Sequence, residues 1–131
     1  MALLTLVLAS MLWGYQGSST PQQPPEPPEE DLSPADQRTY VLNPLQAAKE
    51  LKIGNFYFRR GSFKASARRF EEATRWDPNA AEAFLRLGEA QMKLADSGAA
   101  RTAWEQYLKL QPEGKQAAEI RKKLGSMGKA Q

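Results

Sequence analysis

The densest array of chemically competent side chains in the sequence is cationic: Arg59, Arg60, Lys64, Arg68 and Arg69. Guanidinium and ammonium groups at that density suit phosphate backbones, but no aromatic stacking platform or groove-reading motif accompanies them. Arg68 with Glu72 and Glu71 with Arg75 stand at the spacing of ion pairs on one helix face, which accounts for much of the run as a solvated surface. Nucleic acid is therefore not the expected partner. Covalent and acid–base chemistry has little to work with, because His and Cys are both absent. Imidazole bases, thiol nucleophiles, disulfides and the usual zinc and haem ligands go with them. Asp, Glu, Lys, Ser and Tyr remain, without a paired-carboxylate, phosphate-loop or Ser-Lys arrangement. No catalytic residue, cofactor site or metal ligand set is assigned, and the chemistry left to the chain is recognition.

The elements that would position recognition residues occupy only part of the 131 residues. The net charge of +3 is unevenly divided: residues 1–46 carry one Arg against five Asp and Glu, and residues 47–131 carry 17 Lys and Arg against 10 acids. An acidic leader and a basic body favour acidic partners or anionic surfaces at low salt. Residues 1–15 form an apolar segment, with no charge from Ala2 to Tyr15. That run is shorter than the roughly 20 residues of a bilayer span and fits the apolar core of a signal sequence. Its end, Leu12-Trp13-Gly14-Tyr15, resembles the end of a bacterial lipoprotein signal, with Tyr15 where a cysteine would take the lipid. The resemblance implies export to the bacterial cell envelope without that lipid, and membrane contact through residues 1–15 if they are retained; a buried N-terminal helix is the alternative. Residues 16–42 read as a linker, for Gln16 to Ala35 hold six of the nine prolines and four acids. Such composition cannot bury enough apolar surface to fold and extends as polyproline II at about 3.1 Å per residue.

Helical signals begin at Asn43, a good N-cap, with Pro44 at the first helical position, where its missing N–H costs nothing. From there the pattern is helix, short turn, helix. Ser62 and Ser97 stand where second helices would be capped, and Gly61, Pro78, Pro112 and Gly125 where helices should stop. Laying residues 47–80 over 81–114 superposes Gly54 on Gly88, Phe70 on Trp104 and Pro78 on Pro112, a period of 34 residues. With Ile53, Tyr57, Phe63, Ala73 and Asp77 in the first copy and Phe84, Leu87 and Ala100 in the second, the chain resembles the tetratricopeptide repeat family. The resemblance implies an all-α fold: two helix-turn-helix hairpins and a C-terminal capping helix over 114–125, stacked as a short right-handed α-solenoid within a domain spanning 43–131. Glu50, Ser66, Gln91, Ser97 and Tyr107 depart from the family pattern. Trp76 is expected to pack between repeats, and Lys115, Arg121, Lys122 and Lys123 to point outward from the capping helix.

The same resemblance implies a peptide groove lined by the first helix of each hairpin. Its positions become Ala48, Leu51, Lys52, Asn55, Phe58 and Arg59 in the first repeat, and Glu82, Leu85, Arg86, Glu89, Met92 and Lys93 in the second. Each set shares one helix face. Asn55 could hold a peptide backbone, and Arg59 and Arg86 could take carboxylates. Leu51 stands where the carboxylate-clamp members of the family carry lysine. The implied function is a non-catalytic adaptor or scaffold binding a protein or peptide, acidic in preference, with a structural subunit of a larger membrane-associated complex as the alternative. Two repeats and a cap lie near the lower limit of independent stability, so a partner or self-association could supply a missing face.

Overall fold

The computed structural model describes residues 38–128. The apolar segment expected at 1–15, and the expected linker except for its last five residues, lie outside them. Among the described residues the chain forms five helices and no strand: α1 Pro44–Arg59, α2 Phe63–Trp76, α3 Ala81–Lys93, α4 Ser97–Leu110 and α5 Ala117–Gly128. Each packs on its chain neighbour, and α1 also touches α3. The result is an all-α helical repeat, a short solenoid.

Local chemistry sets the ends. Asn43 Oδ1 accepts the Gln46 N–H at 3.0 Å, and Pro44 opens α1. The first hairpin turns at Gly61, whose φ of +76° suits a residue without Cβ. The equivalent residue 34 positions on is Ala95, held at φ +59°. That left-handed conformation costs an L-residue about 1–2 kcal/mol. Ser62 precedes α2 but its hydroxyl makes no capping bond. The cap of α4 is Asp96, accepting the Ala99 N–H at 3.1 Å, and Ser97 is already helical. Carboxylate and hydroxyl both cap well, and here the longer acceptor takes the site. Asp77 and Asn79 form the turn after α2, with Asn79 N–H donating to Asp77 Oδ1 at 2.9 Å.

The glycine spacing has the packing role the sequence suggests. A Cβ on Gly54 would stand 2.5 Å from Phe70 Cε1, and one on Gly88 would overlap the Trp104 indole. Two apolar clusters grow from these rings. Phe70, Leu87, Ala90 and Ala103 are buried together, with Leu51, Phe58 and Ala67 packed against them. Leu85, Trp104, Tyr107, Ala117 and Ile120 form the second, joined by Leu124 and Met127.

The departures from the repeat pattern are accommodated by specific partners. Glu50, 3% exposed, stands 3.1 Å from Arg69 Nη1 and accepts Gln46 Nε2 at 2.8 Å. Arg69 is therefore buried against α1, not part of a solvated cationic face. Ser66 is fully buried and donates to the Gly54 carbonyl at 3.0 Å. Tyr107 replaces a small residue, and Gly114 makes room for it: a Cβ there would stand 2.6 Å from Tyr107 Oη. That contact belongs to the turn Gly114 N–H to Gln111 C=O and Ala117 N–H to Gly114 C=O. The helix expected over 114–125 consequently starts at Ala117. It also runs past Gly125 to Gly128, because Met127 packs on the second cluster and offsets the entropic cost of the glycine.

The chain upstream of α1 is engaged as well. Tyr40 Oη donates to Glu72 at 2.9 Å, Arg38 stands 3.8 Å from the same carboxylate, and Asn43 N–H donates to the Trp76 carbonyl at 2.9 Å. Trp76 meets Tyr40 edge-on at 5.0 Å, so its ring has a partner in this entering segment. Contacts to the helices thus begin by Arg38, upstream of the expected start at residue 43. Glu72 is drawn to Tyr40, Arg38 and Arg75 among its described partners, where the spacing suggests Arg68.

Gly54→Leu should lower stability by at least about 1–3 kcal/mol, because the Phe70 ring cannot move without opening the hairpin; thermal melting followed by circular dichroism reads it, and an unchanged midpoint would show that the ring yields. Glu50→Ala should cost about 3–5 kcal/mol by leaving Arg69 without this buried carboxylate. Adding Arg69→Leu to it should recover most of that loss in urea unfolding.

Candidate partner-binding groove

The twelve groove positions implied by the sequence differ in exposure. On α1, Ala48, Lys52 and Arg59 are exposed, whereas Leu51, Asn55 and Phe58 are half-buried. Leu51 packs against the Phe70 cluster, and Phe58 meets Phe63 edge-on at 5.1 Å. On α3, Glu82, Met92 and Lys93 are exposed, Arg86 and Glu89 are half-buried and paired at 2.9 Å, and Leu85 is buried. Leu85 lies among Trp104, Tyr107 and Ile120, and its carbonyl accepts Trp104 Nε1–H at 3.2 Å.

Two cavities divide these residues. One of about 420 Å³ is lined by Phe58 of α1, by Glu89, Met92 and Lys93 of α3, by Trp104 of α4, and by Lys123, Ser126 and Met127 of α5. A second of about 530 Å³ takes Glu82, Leu85, Arg86 and Glu89 of α3, facing Tyr107 and Gln111 of α4 and the turn from Gly114 to Gln116. Ala48, Leu51, Lys52, Asn55 and Arg59 line neither.

The first cavity has a regular origin. Glu89 and Lys123, Met92 and Ser126, and Lys93 and Met127 are each 34 residues apart, and Phe58 stands 34 before Met92. Helix α5 therefore presents to the cavity the positions that α1 and α3 present before it. The two-repeat register ends before α5 and sends Lys123 outward, whereas the structure places it on the cavity wall. The signal was available: one further step of 34 places 123, 126 and 127 on the same face. Lys123 is half-buried, its ammonium 5.5 Å from the Trp104 ring centroid and 2.9 Å from Glu119. The hydrogen bond from Lys123, and then its charge, hold the exposed Glu119 carboxyl below its ordinary pKa. Trp104 was legible as a packing residue, and its second role as a cavity wall follows from that packing.

The walls are thus aromatic rings and methionines, with two ammonium groups and one guanidinium-paired carboxylate among them. Among the described residues no three Asp or Glu side chains gather as a metal site would need, and no helix is long and apolar enough to cross a membrane. What this arrangement can do is take up an apolar side chain beside negative charge.

Residues 54–94, from the middle of α1 through α3, match the family model described as TPR repeat, so this stretch is similar to tetratricopeptide repeats. A comparison with curated proteins gives no match.

Truncations should separate the cavity's structural wall from its open one. Trp104→Ala should destabilise by about 3–5 kcal/mol, as loss of a buried aromatic does. Met92→Ala, at a side chain 40% exposed, should stay within about 1 kcal/mol of the parent. Paired urea titrations read both, and equal losses would mean that Met92 belongs to the core.

Proposed function

We propose that this chain is a non-catalytic protein-interaction module that binds a segment of a partner protein in the cavity between α1, α3 and α5. The observation that carries this reading is the recurrence of cavity-lining residues at one register of three alternate helices, Phe58 on α1, Met92 on α3 and Ser126 on α5, with Lys93 and Lys123 beside them. Repeats of this kind serve generally in protein–protein interaction, and this surface has the adaptable, methionine-bearing walls suited to peptide side chains. Leu51, Lys52, Asn55 and Arg59 extend the α1 side of the surface, and Leu85, Arg86 and Glu89 border the neighbouring cavity. The cationic run favours this reading over nucleic acid, since Arg69 is withdrawn into the core and Arg60 lies over the Phe56 ring at 5.3 Å.

The proposed setting is the bacterial cell envelope, with residues 1–15 as export or anchoring signal and the proline-rich stretch as spacer. The composition of those residues supports it. A second reading, a structural subunit of a larger complex, is favoured by Val41, Leu42 and Leu45, which are 69%, 64% and 85% exposed at the entrance to α1. Large apolar side chains grouped in this way mark contact surfaces.

A photoreactive side chain reads the site directly. Met92→p-benzoyl-phenylalanine in the full chain should give discrete protein adducts on irradiation in cell extract, and Lys64→p-benzoyl-phenylalanine, on the exposed face of α2, should not. Equal adducts at both positions, or none at Met92, would remove the groove as the binding site.

A further inference from the structure

The cavity also specifies the chemistry of what it binds. Resting on the groove reading above, we propose that the occupant is an acidic peptide segment that inserts one large apolar side chain between Met92 and Met127 and places carboxylates at Lys93 and Lys123.

The apolar part follows from the walls. Phe58, Met92, Met127 and the buried Trp104 line the cavity. Methionine side chains are unbranched and polarizable, so they close around aromatic and aliphatic anchors alike without demanding one shape. A volume of about 420 Å³ admits one large side chain with the backbone that carries it. It sits at the lower end of the roughly 300–1,000 Å³ range of small-ligand clefts. An anchor of this kind fixes the register of the segment.

The charge follows from pairing. Glu89 is the acid among the lining residues, and Arg86 holds it at 2.9 Å, so its charge is compensated within α3. Lys93 is exposed on the last turn of α3, its ammonium lying 5.8 Å from the Phe63 ring centroid. Arg59 is exposed at the equivalent position on the last turn of α1. Lys123 faces the Trp104 ring while sharing Glu119, whose carboxylate is exposed, so that surface pair contributes little and leaves the ammonium open to a second acid. The rim therefore presents positive charge beside low-dielectric walls, where a carboxylate gains more than it would in open water. Ammonium groups act as point charges without the paired geometry of a guanidinium, so the rim selects acidity near the anchor and not one fixed carboxylate spacing.

Three fluorescein-labelled peptides of about a dozen residues, acetylated and amidated at their ends, test this against the full chain by fluorescence anisotropy. One carries Glu and Asp flanks around a central Phe, the second replaces that Phe by Ser, and the third keeps Phe between Lys flanks. The acidic Phe peptide should bind, and the other two should bind at least about ten-fold more weakly. Its affinity should fall several-fold as salt rises from about 0.05 M to about 0.5 M, as the screening length shortens. Met92→Gln and Lys93→Glu should each weaken it at least about five-fold with unchanged melting, whereas Lys64→Glu should leave it unaltered. Equal binding of the Ser or Lys analogue, or equal losses at Lys64 and Lys93, would overturn the inference. If Met92 cross-links a partner through a neutral or basic segment, the acidic-anchor inference fails and the groove reading stands. Absence of adducts at Met92 removes both.

Discussion

The spacing of each helix pair is set by an aromatic ring lying on a glycine of the neighbouring helix. Phe70 rests on Gly54 and Trp104 on Gly88, each where a single Cβ would collide. Everything else is arranged around that approach. The indole is larger than the benzene ring, so in the second pair it reaches further: its N–H is satisfied by the Leu85 carbonyl, its far edge meets α5, and its remaining face borders the cavity. The proposed binding surface is in this sense a product of packing. The helices are held at a distance that leaves room beside Trp104, and the next equivalent helix supplies the missing wall.

The two hairpins reach the same backbone arrangement with different side-chain chemistry. In the first, positions suited to apolar side chains hold Glu50 and Ser66, and both are buried with partners: a carboxylate–guanidinium pair to Arg69 and a hydroxyl–carbonyl bond to Gly54. A buried pair of this kind contributes little net stability over apolar residues of like volume, but loss of one member is costly. It binds α1 to α2 in one register. In the second hairpin the corresponding interior is apolar and aromatic, and Tyr107 occupies a place that Ala73 fills in the first. The larger ring displaces the start of α5 by way of Gly114. A substitution in one repeat thus sets where the following helix begins.

Much of this was legible from residue type and spacing. The period of 34, the glycine beneath the ring, and the Asn43–Pro44 start are local or periodic signals, and each has a direct physical meaning. What was not legible depends on contacts between distant residues. Nothing near Glu50 indicates that Arg69, on the next helix, turns inward to meet it. Trp76 carries no sign that its ring partner is Tyr40, on the other side of α1. Asp96 and Ser97 are adjacent and both competent caps, so residue type alone does not say which of them stands at the cap. Of the groove positions, Phe58, Glu89, Met92 and Lys93 are brought together, while Leu85 is covered because α5 packs over it, a consequence of tertiary contact that periodicity on α3 alone cannot reveal.

The segment entering α1 has a mechanical consequence. Arg38, Tyr40 and Asn43 are all fastened to the last turns of α2, through Glu72 and Trp76, before the chain becomes helical. Tension arriving along the chain from upstream therefore reaches α2 first. That helix is gripped on both sides, by α1 and by α3, whereas α1 as the terminal element would unravel from its free end. Strain is delivered to the middle of the stack and shared there among an ion pair, a hydroxyl–carboxylate bond and a ring contact, so the first turn of α1 is shielded from traction until those fastenings give way.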